Sequence, residues 1–238
     1  MLQACMNGGR QKEEAANVPI SHQELAIDAQ ILLRAGAQQF HIHPRSHSGK
    51  ETLEPDHVGD CLQQIRAEIG DTPIGIGTGR WIEPNLQKRL DQIRNWQTLP
   101  DYASVNIGEA DAEENIEILL SKAVGIEAGI WNSKDAIRFV EFSDRQKCLR
   151  ILIEMTSNQP EEAELEYFSV LKILNNANID LPILLHGEDG SAWPILKLAK
   201  IRGHDMRIGF EDCLCMPEGD PAHSNVQMIK EAVRIMSR

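Results

Sequence analysis

The sequence predicts a (β/α)8 barrel. Eight short apolar runs of β character recur along 238 residues, each run is followed by apolar residues at three- and four-residue spacing, and polar residues collect where the runs end. Repeated βα units specify a parallel sheet, and eight in one chain specify its closure into a barrel. The rival, an open doubly wound sheet, uses the same units. No Pro-, Ser- or Gly-rich linker and no low-complexity tract interrupts the chain, so residues 1–238 read as one barrel domain.

The runs are, in order, LQACMN (2–7), QFHIHP (39–44), PIGIGTG (73–79), YASVNIG (102–108), AVGIEAGIW (123–131), LRILIEM (149–155), PILLHG (182–187) and RIGFED (207–212). Helices are expected to begin near Ser21, Glu54, Glu83, Asp111, Ser133, Pro160, Ser191 and Asp220, where Ser, Asp and Pro suit caps or first turns.

Hydrophobic content of 42% and charged content of 25% are ordinary for a soluble globular chain, and no run approaches the ~18 apolar residues of a membrane span. MLQACMNGGR has no basic start or long apolar stretch, so no secretory signal is expected. Five scattered cysteines suit a reducing compartment, the cytoplasm. A net charge of −12 disfavours nucleic acid and anionic membranes as partners. An anionic small molecule then needs local cations, for which Arg10, Arg45, Arg80 and Arg207 are the candidates.

His41 and His43 in FHIHPR alternate along a strand, which aims both imidazoles at one space. A glutamate from another strand completes a two-histidine, one-carboxylate set with an open position, the pattern of catalytic zinc, and RIGFED offers Glu211 beside Asp212. Taken alone, H-x-H is more often an ordinary polar pair. Its company decides the matter. Asn7 to Arg10, Thr78 to Arg80, Asn106, Glu127, Glu154, His186 to Glu188 and Glu211-Asp212 fall at the other strand ends, where barrels keep their chemistry. Zn2+ is the expected cofactor, with another divalent metal as the alternative.

AGAQQFHIHPR, IGTG, SVN, RIGFED and Ser224-Asn225, together with a first strand that ends in a small-residue turn, resemble the β-keto acid cleavage enzymes. That family includes the 3-keto-5-aminohexanoate cleavage enzyme of lysine fermentation. The resemblance covers nearly the whole chain, and HIHPR with RIGFED is its specific part. It implies a zinc-dependent barrel that uses acetyl-CoA to cleave a β-keto acid, giving acetoacetate and a new acyl-CoA, and it implies a homo-oligomer. His41, His43 and Glu211 would be the zinc ligands, and Arg207 and Asp212 the pair that handles charge and proton. The chemistry asks for such groups independently: a ketone oxygen that gains negative charge needs a Lewis acid, and a carboxylate must move a proton.

The chain departs from the family pattern at several points. Gly77 stands where the family has serine, leaving Thr78 as the nearby hydroxyl; Glu127 keeps the first carboxylate of a Glu-x-Glu pattern whose second is Gly129. The glycine-rich loop after the sixth strand is replaced by TSNQPEE. Thr78 and Glu127 are therefore catalytic candidates, and the use of acetyl-CoA stays open. For substrate binding, Arg10 replaces an acidic residue of the aminohexanoate enzyme and favours a distal acidic or neutral polar group. The Thr78-Gly79 backbone is expected to approach a substrate carboxylate, Arg45 is a further candidate, and Asn106 either orients substrate or pairs with Glu127. Glu154 needs a partner if buried, and His186 and Glu188 lie on a turn that faces the site in the family. His47, His57 and His204 read as solvent groups. Two other functions fit the same residues: a metal-dependent barrel hydrolase, which normally carries H-x-H on its first strand, and a metal-binding homologue without turnover.

Overall fold

The computed structural model describes residues 1–237. Strands and helices alternate as β1 Leu2–Cys5, α1 His22–Ala35, β2 Gln39–Ile42, α2 Pro55–Ile69, β3 Ile74–Gly77, α3 Leu86–Arg94, β4 Tyr102–Asn106, α4 Ala112–Ser121, β5 Gly125–Ile130, α5 Ser133–Glu141, β6 Arg150–Met155, α6 Pro160–Asn176, β7 Ile183–Gly187, α7 Ala192–Arg202, β8 Asp205–Ile208 and α8 Asn225–Met236. The sheet is a closed parallel barrel in sequence order. Its seam joins β1 to β8 through Leu2↔Met206, Gln3↔Arg207 and Ala4↔Ile208, which excludes the open sheet. No helix among the described residues is long and apolar enough to cross a membrane.

Helix starts follow local chemistry. Ser21 caps α1 by a reciprocal capping box with Glu24, and Gly36, at φ 114°, ends it. Pro55 and Pro160 occupy first turns, where the missing N–H costs nothing. Two starts differ from expectation. Pro84 biases Glu83 away from helical backbone, so α3 begins three residues on, at Leu86, with the Asn85 side chain accepting from the Lys88 N–H. Pro221 does the same to Asp220, and α8 waits for the Ser224 cap.

Inward-facing side chains fill the barrel in layers. Near the amino-terminal ends of the strands a polar plug forms. The Gln3 amide donates to Tyr102 Oη (3.0 Å) and Glu127 Oε1 (2.8 Å), Arg150 Nε donates to Glu127 Oε1 (2.8 Å), and Tyr102 Oη donates to Phe40 O (2.7 Å). Gly75 makes room for this plug, because a Cβ there would fall 1.9 Å from the Tyr102 ring. The space above it, toward the carboxyl ends, is left for the site.

Asn225 fastens the end of the chain to the barrel: its amide donates to Met6 O (2.8 Å) and Asp28 Oδ2 (2.9 Å) and accepts from Phe210 N (2.7 Å). Burial pushes the half-buried Asp28 carboxyl from its ordinary 3.8 up to about 6, against the hydrogen bond from Asn225. A raised acid pKa means the folded state holds the proton more tightly, so this group's contribution is fully present below about pH 4 and is lost as pH rises through 6. At pH 7.5 the ionised group costs on the order of 1–2 kcal/mol after allowance for its partial exposure. Asp28→Asn is expected to raise Tm by roughly 2–6 °C at pH 7.5 and to leave it unchanged at pH 4. Equal melting curves at both pH values would remove the argument.

Candidate metal centre and active-site cavity

His41 is the third residue of β2 and His43 lies just beyond its end. The Asn7 amide clamps the His43 backbone from both sides, donating to His43 O (2.9 Å) and accepting from His43 N (2.9 Å). The two Nε2 atoms face each other at 3.2 Å, and Glu211 Oε1 lies 3.7 Å from that of His41 and 3.3 Å from that of His43. Glu211 and Asp212 both reach inward because β8 ends at Ile208: the chain turns there, with Asp212 N and Cys213 N both bonded to Gly209 O.

This arrangement fits a divalent cation. One ligand atom from each of His41, His43 and Glu211 lies within 4.8 Å of the others. The outer nitrogens turn toward carboxylates, His43 Nδ1 to Glu51 Oε1 at 2.6 Å and His41 Nδ1 toward Glu127 Oε2 at 3.8 Å, which leaves both Nε2 atoms for a shared ligand. Glu211 Oε2 is buried without a hydrogen-bond partner. Burial opposes charge on His43, but Glu211 and Glu51 outweigh it and lift the imidazole to about 9; burial dominates at His41 and pushes it well below its ordinary value. Desolvation opposes charge on the partly buried Glu211, but Arg207, His41 and His43 hold its carboxyl well below the usual carboxylate range. Two glycines clear the space. A Cβ on Gly77 would stand 2.6 Å from the His43 ring, and one on Gly8, at φ 48°, would stand 2.4 Å from Glu211 Cγ. Serine at position 77 would displace His43, a physical reason for glycine there.

Above the cluster opens a cavity of about 290 Å3. Arg207 joins His41, His43 and Glu211 on its wall, Glu154 and Glu188 contribute acids, Ser104 and Asn106 contribute neutral polar groups, and Trp81, Trp131 and Leu152 form the apolar part. Arg207 Nη2 donates to Glu211 Oε1 (2.7 Å) and Nε to Asp212 Oδ1 (3.3 Å). Asp212 itself does not line the cavity. It is buried behind Arg207, beside His186 Nδ1 (3.1 Å), and accepts from Cys5 Sγ (2.7 Å). It therefore positions Arg207.

Several expected site residues lie elsewhere. Thr78 donates to Ser104 O (2.7 Å) and accepts from Asn115 (3.0 Å), which holds the β3–α3 connection in place and keeps the hydroxyl off the cavity wall. Glu127 belongs to the polar plug beneath His41, too deep to meet substrate. Arg45 is buried away from the cavity, with its Nη2 donating to the carbonyls of Gly8 and Arg10. Gly79 is covered by the Trp81 ring, which a Cβ at that position would meet at 2.2 Å. Arg10 pairs with Glu14 (3.1 Å) and Asp189 (2.8 Å) outside the cavity, so its charge is already neutralised and the case for an acidic distal group fails. Asn106 does line the cavity but donates to Glu109 (3.0 Å) rather than pairing with Glu127. Sequence reasoning missed Glu51, Trp81 and Trp131. Trp81 could have been found, since it follows the third strand's polar end directly; Glu51 carries no signal, being brought to His43 by a loop whose Glu51 bridges back to Arg45.

A closed parallel barrel in sequence order is a (β/α)8 fold, and this cavity opens at the carboxyl ends of its strands, the face on which such barrels carry their sites. The chain belongs to the beta-keto acid cleavage enzyme family, whose profile matches residues 1–179 and 159–238. It is 24% identical to the 3-keto-5-aminohexanoate cleavage enzyme of Acetoanaerobium sticklandii, across 94% of this chain and 86% of that protein, and equally so to the enzyme of the same name from Fusobacterium nucleatum. Among solved structures it superposes on apo ObcA and on a ternary complex of ObcA with a C4-CoA adduct and oxalate, each at TM-score 0.75 and 13% identity. These cover 92% of this chain, which spans only 61% and 63% of those chains, and the likeness is one of fold.

Proposed function

We propose that this chain cleaves a carbon–carbon bond of a β-keto acid at a divalent metal site, with zinc held by His41, His43 and Glu211 and with acetyl-CoA as co-substrate. The exchange is R–CO–CH2–COO− + CH3–CO–SCoA → R–CO–SCoA + CH3–CO–CH2–COO−. The observation that carries the reading is the convergence of two Nε2 atoms and the Glu211 carboxylate on one point of the wall of a cavity that also holds Arg207. The family points to β-keto acid cleavage. When bound, the cation supplies a Lewis acid for the keto oxygen. Arg207 fixes the Glu211 carboxylate and adds positive charge where an enolate develops, Asp212 holds the guanidinium in place, and Trp81, Trp131 and Leu152 keep water from the reacting carbons. The CoA adduct bound by ObcA supports a thioester co-substrate. The reading includes a cytoplasmic homo-oligomer; five free cysteines suit that compartment.

The test is a panel of β-keto acids given to metal-loaded protein with acetyl-CoA, read by mass spectrometry. At least one acid is expected to yield acetoacetate and its own acyl-CoA. Consumption of none would sink the reading, and consumption with water as the only acceptor would favour the hydrolase instead.

A further inference from the structure

A second cavity, of about 420 Å3, adjoins the one above the histidine–glutamate cluster. Trp81, Asn106 and Trp131 line both, while Gly108, Asn132 and Asp135 belong to the outer one. The two indoles therefore form a wall common to both spaces. Their ring centroids lie 6.4 Å apart with 37° between the planes, within the range of aromatic rings in contact, so the rings leave no passage between them.

Each ring is fixed from its own side. Trp81, on the connection from β3 to α3, stacks on His43 (6.4 Å between centroids, 15° between planes), donates from Nε1 to Glu51 Oε1 (3.3 Å) and covers Gly79, where a Cβ would meet the ring at 2.2 Å. Trp131 directly follows β5, and its backbone N–H donates to Asp135 Oδ2 on α5 (3.0 Å). Asp135 in turn lies on Gly108, where a Cβ would fall 2.7 Å from Oδ1. Asn106, the third shared residue, is held by Glu109 (3.0 Å). Trp131 Nε1 is buried and has no hydrogen-bond partner among the described residues, so this ring is placed for its shape rather than for a polar contact.

In the exchange above, the metal site and Arg207 engage the keto acid head, and R is left to the apolar part of the inner cavity, Trp81, Trp131 and Leu152. Packed rings braced on both sides do not yield to an oversized group without cost. We propose that Trp81 and Trp131 are specificity-determining residues: they close the inner cavity and restrict this chain to β-keto acids whose R is a few carbons long, while the outer cavity is the space that a larger R would need. This assignment rests on the reading above and adds the substrate class of that site. Trp131 is the better lever of the two, because Trp81 also touches His43 and Glu51.

The test compares propionylacetate (R = ethyl) with benzoylacetate (R = phenyl) on metal-loaded protein with acetyl-CoA, and reads propionyl-CoA and benzoyl-CoA by mass spectrometry. Wild type is expected to favour propionylacetate on the order of 10-fold or more in kcat/KM. Trp131→Ala joins the two spaces and should lower that ratio about 10-fold or more at unchanged metal content, whereas Trp131→Phe, which keeps a ring in the wall, should retain most of it. Loosened packing alone would lower both rates and leave the ratio where it was. A wild type that takes both acids equally, or a ratio in Trp131→Ala within about twofold of wild type, overturns the wall. The CoA esters formed in either case would leave the reaction standing. If neither acid yields a CoA ester in any of the proteins, the reaction falls, and calorimetry decides the wall: relative to propionylacetate, benzoylacetate should bind Trp131→Ala about 10-fold more tightly than it binds wild type, and equal relative affinity overturns the proposal.

Discussion

His41→Ala and His43→Ala are each expected to strip the divalent cation and abolish turnover. Removal of an outer partner of a metal-bound histidine typically costs about 10–100-fold in affinity, and loss of the ligand itself costs more. Glu51→Gln, which weakens only the hydrogen bond to His43 Nδ1, therefore sets the scale. Metal per chain after mild chelation should fall modestly in Glu51→Gln and to background in either alanine variant. Asp212→Asn provides the contrast. It should keep its metal, since Asp212 bonds Arg207 and Cys5 rather than the histidine–glutamate cluster, while turnover falls on the order of 10²-fold through the misplaced guanidinium. Full retention of metal in both histidine variants would remove the site, and equal metal loss in Asp212→Asn would place that residue among the ligands.

The parts of this protein that were legible in its sequence are those written in local periodicity. Eight apolar runs with helical intervals need only period and spacing to be read, and they close in sequence order. H-x-H was legible for the same reason, since alternation along one strand fixes which face both rings share. Glu211 was legible through its motif, but its inward direction depends on a turn at Gly209 that alternation alone would have denied to either Glu211 or Asp212. What stayed hidden depends on depth along the barrel axis. Glu127 and Glu154 both project inward from neighbouring strands, yet the first is the third residue of β5 and lies in the plug, while the second is the fifth residue of β6 and reaches the cavity. Sequence position within a run does not give that height, because strand tilt and stagger set it. Arg10 and Arg45 failed for a different reason. A sequence shows a cation, but not the carboxylates and carbonyls already holding it.

The largest effect on stability is expected at the plug. Glu127 is fully buried, and its carboxylate receives Arg150 Nη2 at 2.7 Å and the Gln3 amide at 2.8 Å. Arg150 also donates to Gln39 Oε1 (2.5 Å) and lies over the Tyr102 ring at 4.9 Å. Glu127→Ala leaves that guanidinium buried with only neutral partners, and removal of one member of a buried ion pair costs about 3–5 kcal/mol. For a chain of this length such a loss lowers Tm by roughly 6–20 °C. The double variant Glu127→Leu with Arg150→Met should recover most of the loss, because the penalty belongs to the stranded charge more than to the missing attraction. The same substitution reaches the candidate metal centre. Glu127 Oε2 and His41 Nδ1 face each other at 3.8 Å, both buried and neither with another partner, so the double variant should fold stably yet hold metal about 10–100-fold more weakly. Recovered stability with undiminished metal affinity would show that Glu127 serves the fold alone, and a single variant within about 1 kcal/mol of wild type would show that the pair does not brace the barrel.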